Sequence, residues 1–169
     1  MAADFGKAQA KAPEILKKYR ITRPPINPEA IAEAMGVDVV YADFTPDMRG
    51  KISGFVPFNR DSGDAPQIIV NKAISPSRKI FTIAHELGHY LLHRDYARDD
   101  SRYQVMPRSN YYFGEKPVEE QEADCFAANL LVSENMLREY ELYMGISTLS
   151  TIFTVSEGVI LNRKKFLGI

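Results

Sequence analysis

An α+β fold, with a small antiparallel three-stranded sheet packed against a helical core, is the class that this sequence predicts. Two observations carry that reading. Residues 37–71 hold three short β-branched or aromatic runs separated by turn chemistry, and from Ser75 onward the apolar residues recur at helical spacing. A length of 169 residues with 45% hydrophobic and 25% charged composition suits one ordinary globular domain with a real core.

The elements follow in order. Residues 6–19 read as a helix ended by Pro24 and Pro25, which force an extended exit. Asn27-Pro28 is an N-cap followed by proline in the first turn, and the short helix it opens stops at Gly36. Strands are expected at 37–44, 52–58 and 67–71, with connections short enough to favour antiparallel neighbours. Ser75-Pro76 opens a longer helix, in which Ile80, Ala84, Leu87 and Leu91 form one apolar stripe and Phe81, Gly88 and Leu92 a second. After a polar stretch at 94–117, a buried helix is expected at 118–132, then a helix capped by Ser133 and ended near Gly145. Two short helices around Val155-Ser156 complete the chain.

Several function classes recede on composition. The net charge is −1, so a strongly electrostatic nucleic-acid binder is not expected, although Lys7 to Arg23 holds six basic residues. No apolar run approaches the ~18 to 20 residues that span a membrane. Cys125 is the single cysteine, which cannot make an internal disulfide, so a reducing, cytoplasmic setting is expected.

Chemistry concentrates at His85-Glu86-Leu87-Gly88-His89, inside the 76–92 helical pattern, and all three histidines of the chain lie in or near it. Two histidines four apart share one helix face, about one turn from each other, and can converge on one zinc ion. Glu86 is then placed to take a proton from water and return it to a leaving amine, the arrangement for which H-E-x-x-H is a zinc-peptidase signature. His93 stands two turns from His85, too far along a regular helix to share the ion with it. A catalytic zinc usually has three protein ligands and an open position, so a carboxylate from the 118–132 helix is expected. Among Glu119, Glu120, Glu122 and Asp124, Glu122 is in line with the apolar Phe126 and beside Ala123, where a buried carboxylate needs a partner. Glu122 is therefore the expected third ligand with Glu119 second, about 60° away, while Glu120 and Asp124 fall on roughly the opposite side. Asp124 is given the lesser role of fixing an imidazole.

In these motifs the chain resembles the ImmA/IrrE family of metallopeptidases. The similarity runs from Ala34-Met35-Gly36-Val37 through Ile52-Ser53-Gly54-Phe55, Ile68-Ile69-Val70-Asn71 and Phe81 to His89. It continues into Glu122-Ala123-Asp124, Phe126-Ala127-Ala128 and Leu130-Leu131. The resemblance implies a small gluzincin-like (zincin-type) fold, with His85, His89 and Glu122 binding Zn2+ (Mn2+ being the alternative) and Glu86 as catalytic acid/base. It further implies a protein substrate, a helix-turn-helix transcriptional repressor whose cleavage relieves repression. The alternative from another class is a metal-stabilised module that binds a repressor or DNA without cutting. Residues 1–145 are expected to form the peptidase domain, and 146–169 a C-terminal helical segment like a fragment of a helix-turn-helix, packed on the core. A substrate strand is expected to pair with 67–71 or 52–58 as the sheet edge facing the metal helix, with the 94–117 loop as the opposite wall.

Overall fold

The computed structural model describes residues 3–48, 52–57, 65–93 and 116–169. The loop expected as a cleft wall, with Tyr111 and Tyr112, lies outside the described residues apart from Lys116 and Pro117. Among the described residues the chain is a mixed α+β structure. Its elements are helices α1 (Phe5–Lys18) and α2 (Pro28–Ala34), then strands β1 (Asp38–Ala42), β2 (Gly54–Phe55) and β3 (Gln67–Asn71). Helices α3 (Pro76–Leu92), α4 (Val118–Leu131), α5 (Glu134–Glu141), α6 (Ile146–Phe153) and α7 (Glu157–Leu167) follow.

Local chemistry accounts for most boundaries. Asp4 caps α1 by accepting from the Lys7 N–H at 3.1 Å, and Asn27 caps α2 by accepting from Glu29 and Ala30. Gly36, at φ +77°, takes the left-handed turn that ends α2. Ser156 caps α7 through the Val159 N–H, and Gly168 at φ +68° closes it.

The sheet order is β1-β3-β2. β2 runs antiparallel to β3, with Gly54 opposite Val70, but β1 runs parallel to it, with Asp38 opposite Gln67 and Ala42 opposite Asn71. The sheet is mixed, which corrects the antiparallel expectation, and of the two strands expected as its edge β3 is central while β2 lies at the edge. The chain does reverse direction at each short connection, but β3 inserts between the first two strands and so meets β1 in parallel. The reason is burial. In β3 Ile68 and Val70 are fully buried, whereas Val40 and Tyr41 of the outer β1 are 38% and 41% exposed.

One apolar core joins the sheet to the helices. It takes Ala8, Ala12 and Ile15 from α1, Ile31 from α2, Ile83 and Leu87 from α3, and Phe126 and Leu130 from α4. Leu149, Phe153, Val155 and Ile160 of residues 146–169 belong to the same cluster. The Phe153 ring meets Tyr140 edge-on at 6.0 Å, and Arg163 Nε donates to the Val132 carbonyl at the end of α4 (3.0 Å). No helix among the described residues is long and apolar enough to cross a membrane.

The sheet comes close to α3 at Gly54. A Cβ added there would lie 2.6 Å from Thr82 Cγ2 and 2.8 Å from the Ile69 carbonyl oxygen. Backbone cannot step aside as a side chain can, so the Gly54→Ala protein is expected to lose about 1–3 kcal/mol of stability, as overpacked sites do. Denaturant unfolding of parent and variant measures it, and equal midpoints with equal slopes would show that β2 can move away from α3.

Candidate metal centre

α3 is enclosed along its middle: every residue from Thr82 to His89 is buried. On one side lies the sheet, and on the other α4, which approaches closely because Gly88 has no side chain. A Cβ on Gly88 would come 3.0 Å from Phe126 Cδ1 and 3.3 Å from Ala123 Cα. The i, i+4 spacing of α3 then sets His85 and His89 one turn apart on the face turned to α4, at 1% and 3% exposure.

Their Nε2 atoms stand 3.0 Å apart. Both face the carboxylate of Glu120: Oε2 is 3.2 Å from His85 Nε2, and Oε1 is 2.9 Å from His89 Nε2. One ligand atom from each of these three residues lies within 4.8 Å of the others. Zn–N and Zn–O bonds of about 2.0–2.1 Å at tetrahedral angles put ligand atoms about 3.3 Å apart, so the spacing fits a single ion. Burial raises the Glu120 carboxyl pKa, but the hydrogen bonds and charges of His85 and His89 outweigh it and hold the group well below the usual carboxylate range.

A second carboxylate fixes the first histidine. Asp124 Oδ1 lies 2.7 Å from His85 Nδ1, and its other oxygen pairs with Lys116. Burial opposes ionisation of Asp124 as well, and His85 and Lys116 together bring its pKa below the ordinary value. An acceptor on the Nδ1 side keeps the proton there and turns the Nε2 lone pair toward Glu120 and His89. Glu86, buried at 5% exposure, follows His85 on the same helix.

The geometry does not bring Glu122 to the histidine pair. Its Oε2 meets His93 Nε2 at 2.8 Å, and its Oε1 accepts the Asp4 backbone N–H at 2.6 Å. His93, at the C-cap of α3, also has its Nδ1 3.1 Å from His89 Nδ1. Burial lowers the His93 pKa, and Glu122 only partly offsets that. Glu119, the second choice from sequence, is not in the three-residue cluster either; Glu120 takes that place.

The physical reason is that α4 has two buried sides. Glu120, Ala123 and Asp124 turn toward α3, while Glu122 reaches the start of α1 and the end of α3. Glu120 and Glu122 are equally buried at 8% exposure, so seeking the buried carboxylate does not choose between them. The missed signal was the pair Glu120 and Asp124, four apart, on one face with two small residues that allow a neighbouring helix to come close.

The family model Peptidase M78, described as IrrE N-terminal-like domain, matches residues 32–165. No curated protein sequence matches the chain. A solved structure titled Mycobacterium tuberculosis transcriptional regulator has the same fold at a TM-score of 0.59 and 18% identity. The match covers 94% of this chain and 46% of that one, so the chain spans about half the length of its structural relative.

If the three converging groups hold a metal ion, Glu120→Ala should abolish stoichiometric zinc binding. Glu122→Gln should still load about one equivalent at saturating zinc. Metal analysis of the dialysed, zinc-reconstituted proteins decides it, and a full equivalent retained by Glu120→Ala but lost from Glu122→Gln would restore Glu122 as the ligand.

Proposed function

Since the chain belongs to the Peptidase M78 family of IrrE N-terminal-like domains, we propose that it is a metal-dependent endopeptidase in which His85, His89 and Glu120 bind one zinc ion and Glu86 is the general acid/base. The family implies a peptidase. The observation that carries the site is the convergence of two imidazole Nε2 atoms and one carboxylate on a common point beside a buried glutamate. Two nitrogens and one oxygen suit zinc, and manganese is the alternative. Three protein ligands leave a position open, which favours a catalytic over a purely structural site.

A divalent ion in this site supplies Lewis-acid polarisation of the scissile carbonyl and acidifies water. The protein's own groups do the rest. Glu86 accepts the proton of the attacking water and delivers it to the leaving amine nitrogen. Asp124 holds His85 with its proton on Nδ1. Of the two strands expected to take a substrate segment, β2 is the one at the sheet edge, and it touches α3 at Thr82. An extended substrate segment pairing with the outer edge of β2 would run beside α3 toward Glu86.

The substrate we propose is a helix-turn-helix transcriptional repressor, in a cytoplasmic setting consistent with the single half-buried Cys125. Residues 1–145 would carry the peptidase, with 146–169 bracing it through the shared core, although the family match itself runs on to residue 165. The test is Glu86→Gln. Glutamine keeps the shape and an acceptor oxygen but cannot carry the shuttled proton, so cleavage of a purified repressor encoded beside the gene should fall by about 10²- to 10⁴-fold. Zinc content should not change. Fragments produced at the parental rate would remove Glu86 from the chemistry, and no fragments from the zinc-loaded parent would favour a non-cleaving binding module.

A further inference from the structure

Three groups, His93, Glu122 and the Asp4 N–H, form an unbroken line behind His89. His93 is one turn further along α3, on the same face, with its Nδ1 3.1 Å from His89 Nδ1. The other nitrogen of that ring, Nε2, lies 2.8 Å from Glu122 Oε2, and Glu122 Oε1 accepts the Asp4 N–H at 2.6 Å. His89, His93 and Glu122 are 3%, 7% and 8% exposed, which leaves little room for water to satisfy any of them instead.

We infer that His93 and Glu122 are positioning residues of the metal centre, which fix the ring of His89 so that its Nε2 lone pair faces the ion. The inference rests on the reading of His85, His89 and Glu120 as ligands. Its logic is a count of protons. Two ring nitrogens at 3.1 Å share one hydrogen, so either His89 donates to His93 or His93 donates to His89. In the second order the proton of His93 sits on Nδ1, and its Nε2 lone pair is pressed against a carboxylate oxygen at 2.8 Å. Glu122 Oε1 already accepts the Asp4 N–H, and an Oε2 this close to a ring nitrogen is answered most directly by an N–H on that nitrogen. The first order has no such conflict. His93 Nε2–H donates to Glu122, His93 Nδ1 accepts from His89 Nδ1–H, and His89 Nε2 is left unprotonated toward Glu120 and His85.

Both histidines of the H-E-x-x-H motif are thereby oriented from behind, by different means. Asp124 acts on His85 directly, whereas Glu122 acts on His89 through one intervening imidazole. The outer anchor is the start of α1, where the Asp4 N–H holds Glu122 and Lys7 Nζ donates to the Leu92 carbonyl at the end of α3 (3.1 Å). A buried glutamate beside the motif and a third histidine beyond it thus acquire one shared role.

The experiment has two arms. In the first, zinc affinity is measured by chelator competition for the parent, His93→Phe, His93→Gln and Glu122→Gln, with the unfolding midpoint of each zinc-free protein recorded alongside. Loss of an outer partner of a ligating histidine typically weakens metal binding by about 10- to 100-fold. His93→Phe should fall in that range. His93→Gln, which offers an acceptor oxygen and a donor amide in one group, should recover most of it, and Glu122→Gln should lie between. A folded His93→Phe protein that binds zinc within twofold of the parent overturns the inference, and so does a drop in zinc-free stability with affinity unchanged, which would mark a merely structural residue.

The second arm needs no variant. Nitrogen-15 histidine spectra of the zinc-free and zinc-loaded parent should show His93 protonated on Nε2 and His89 protonated on Nδ1. A proton on His93 Nδ1 overturns the inference in either state. Retention of zinc by His85→Ala would count against the ligand assignment instead, and the zinc-free spectra would still decide the order of protons.

Discussion

The approach of α3 to α4 at Gly88 is the constraint on which the rest of the centre depends. With Ala123 and Phe126 packed where a side chain would have been, the two helices come close enough for groups on facing turns to touch. His85 and His89 contribute from one side, and Glu120 and Asp124 from the other, all from rigid helical backbone. A site held on two packed helices is positioned more sharply than one held on loops, because moving any ligand means disturbing the core. The fully buried Leu87 and Ala127 of the same two helices belong to that core.

So many polar groups at the centre of a small protein are costly unless each is answered. The pairing is economical: the two histidines of the motif each meet a neighbour at Nδ1 and face Glu120 at Nε2. Three carboxylates have partners: Glu120 meets both ligand imidazoles, Asp124 meets His85 and Lys116, and Glu122 meets His93 and a backbone N–H. The depressed pKa values of Glu120 and Asp124 express the same fact, because their partners outweigh the burial that would otherwise keep a proton on them. A dication in place of imidazolium charge would act in the same direction.

α4 is the element that mediates between halves of the molecule. One of its faces lines the metal centre, another lies against α1, and its end is met by Arg163 of α7. The C-terminal helices thereby brace the helix that carries Glu120, through Leu149, Phe153 and Ile160 in the common core. Their contribution to the site is mechanical: they help to fix the helix that holds one of the three converging side chains.

How much of this was legible in the sequence follows from the range of the forces involved. Caps, prolines and glycines act within a turn or two, so Asn27-Pro28, Gly36, Ser75-Pro76 and Ser156 mark the helix boundaries that are observed. The pair His85 and His89 shares a face because helical geometry is local, and the same pattern, together with its neighbours, identifies the family. Strand order was not legible, because which strand takes the centre depends on what covers each face, and β3 displaced β1 from β2 for that reason. The choice between Glu120 and Glu122 was not legible from burial either. A helix packed on two sides has two inner faces, and only the positions of α1 and α3 around α4 decide which carboxylate meets the histidine pair and which meets His93.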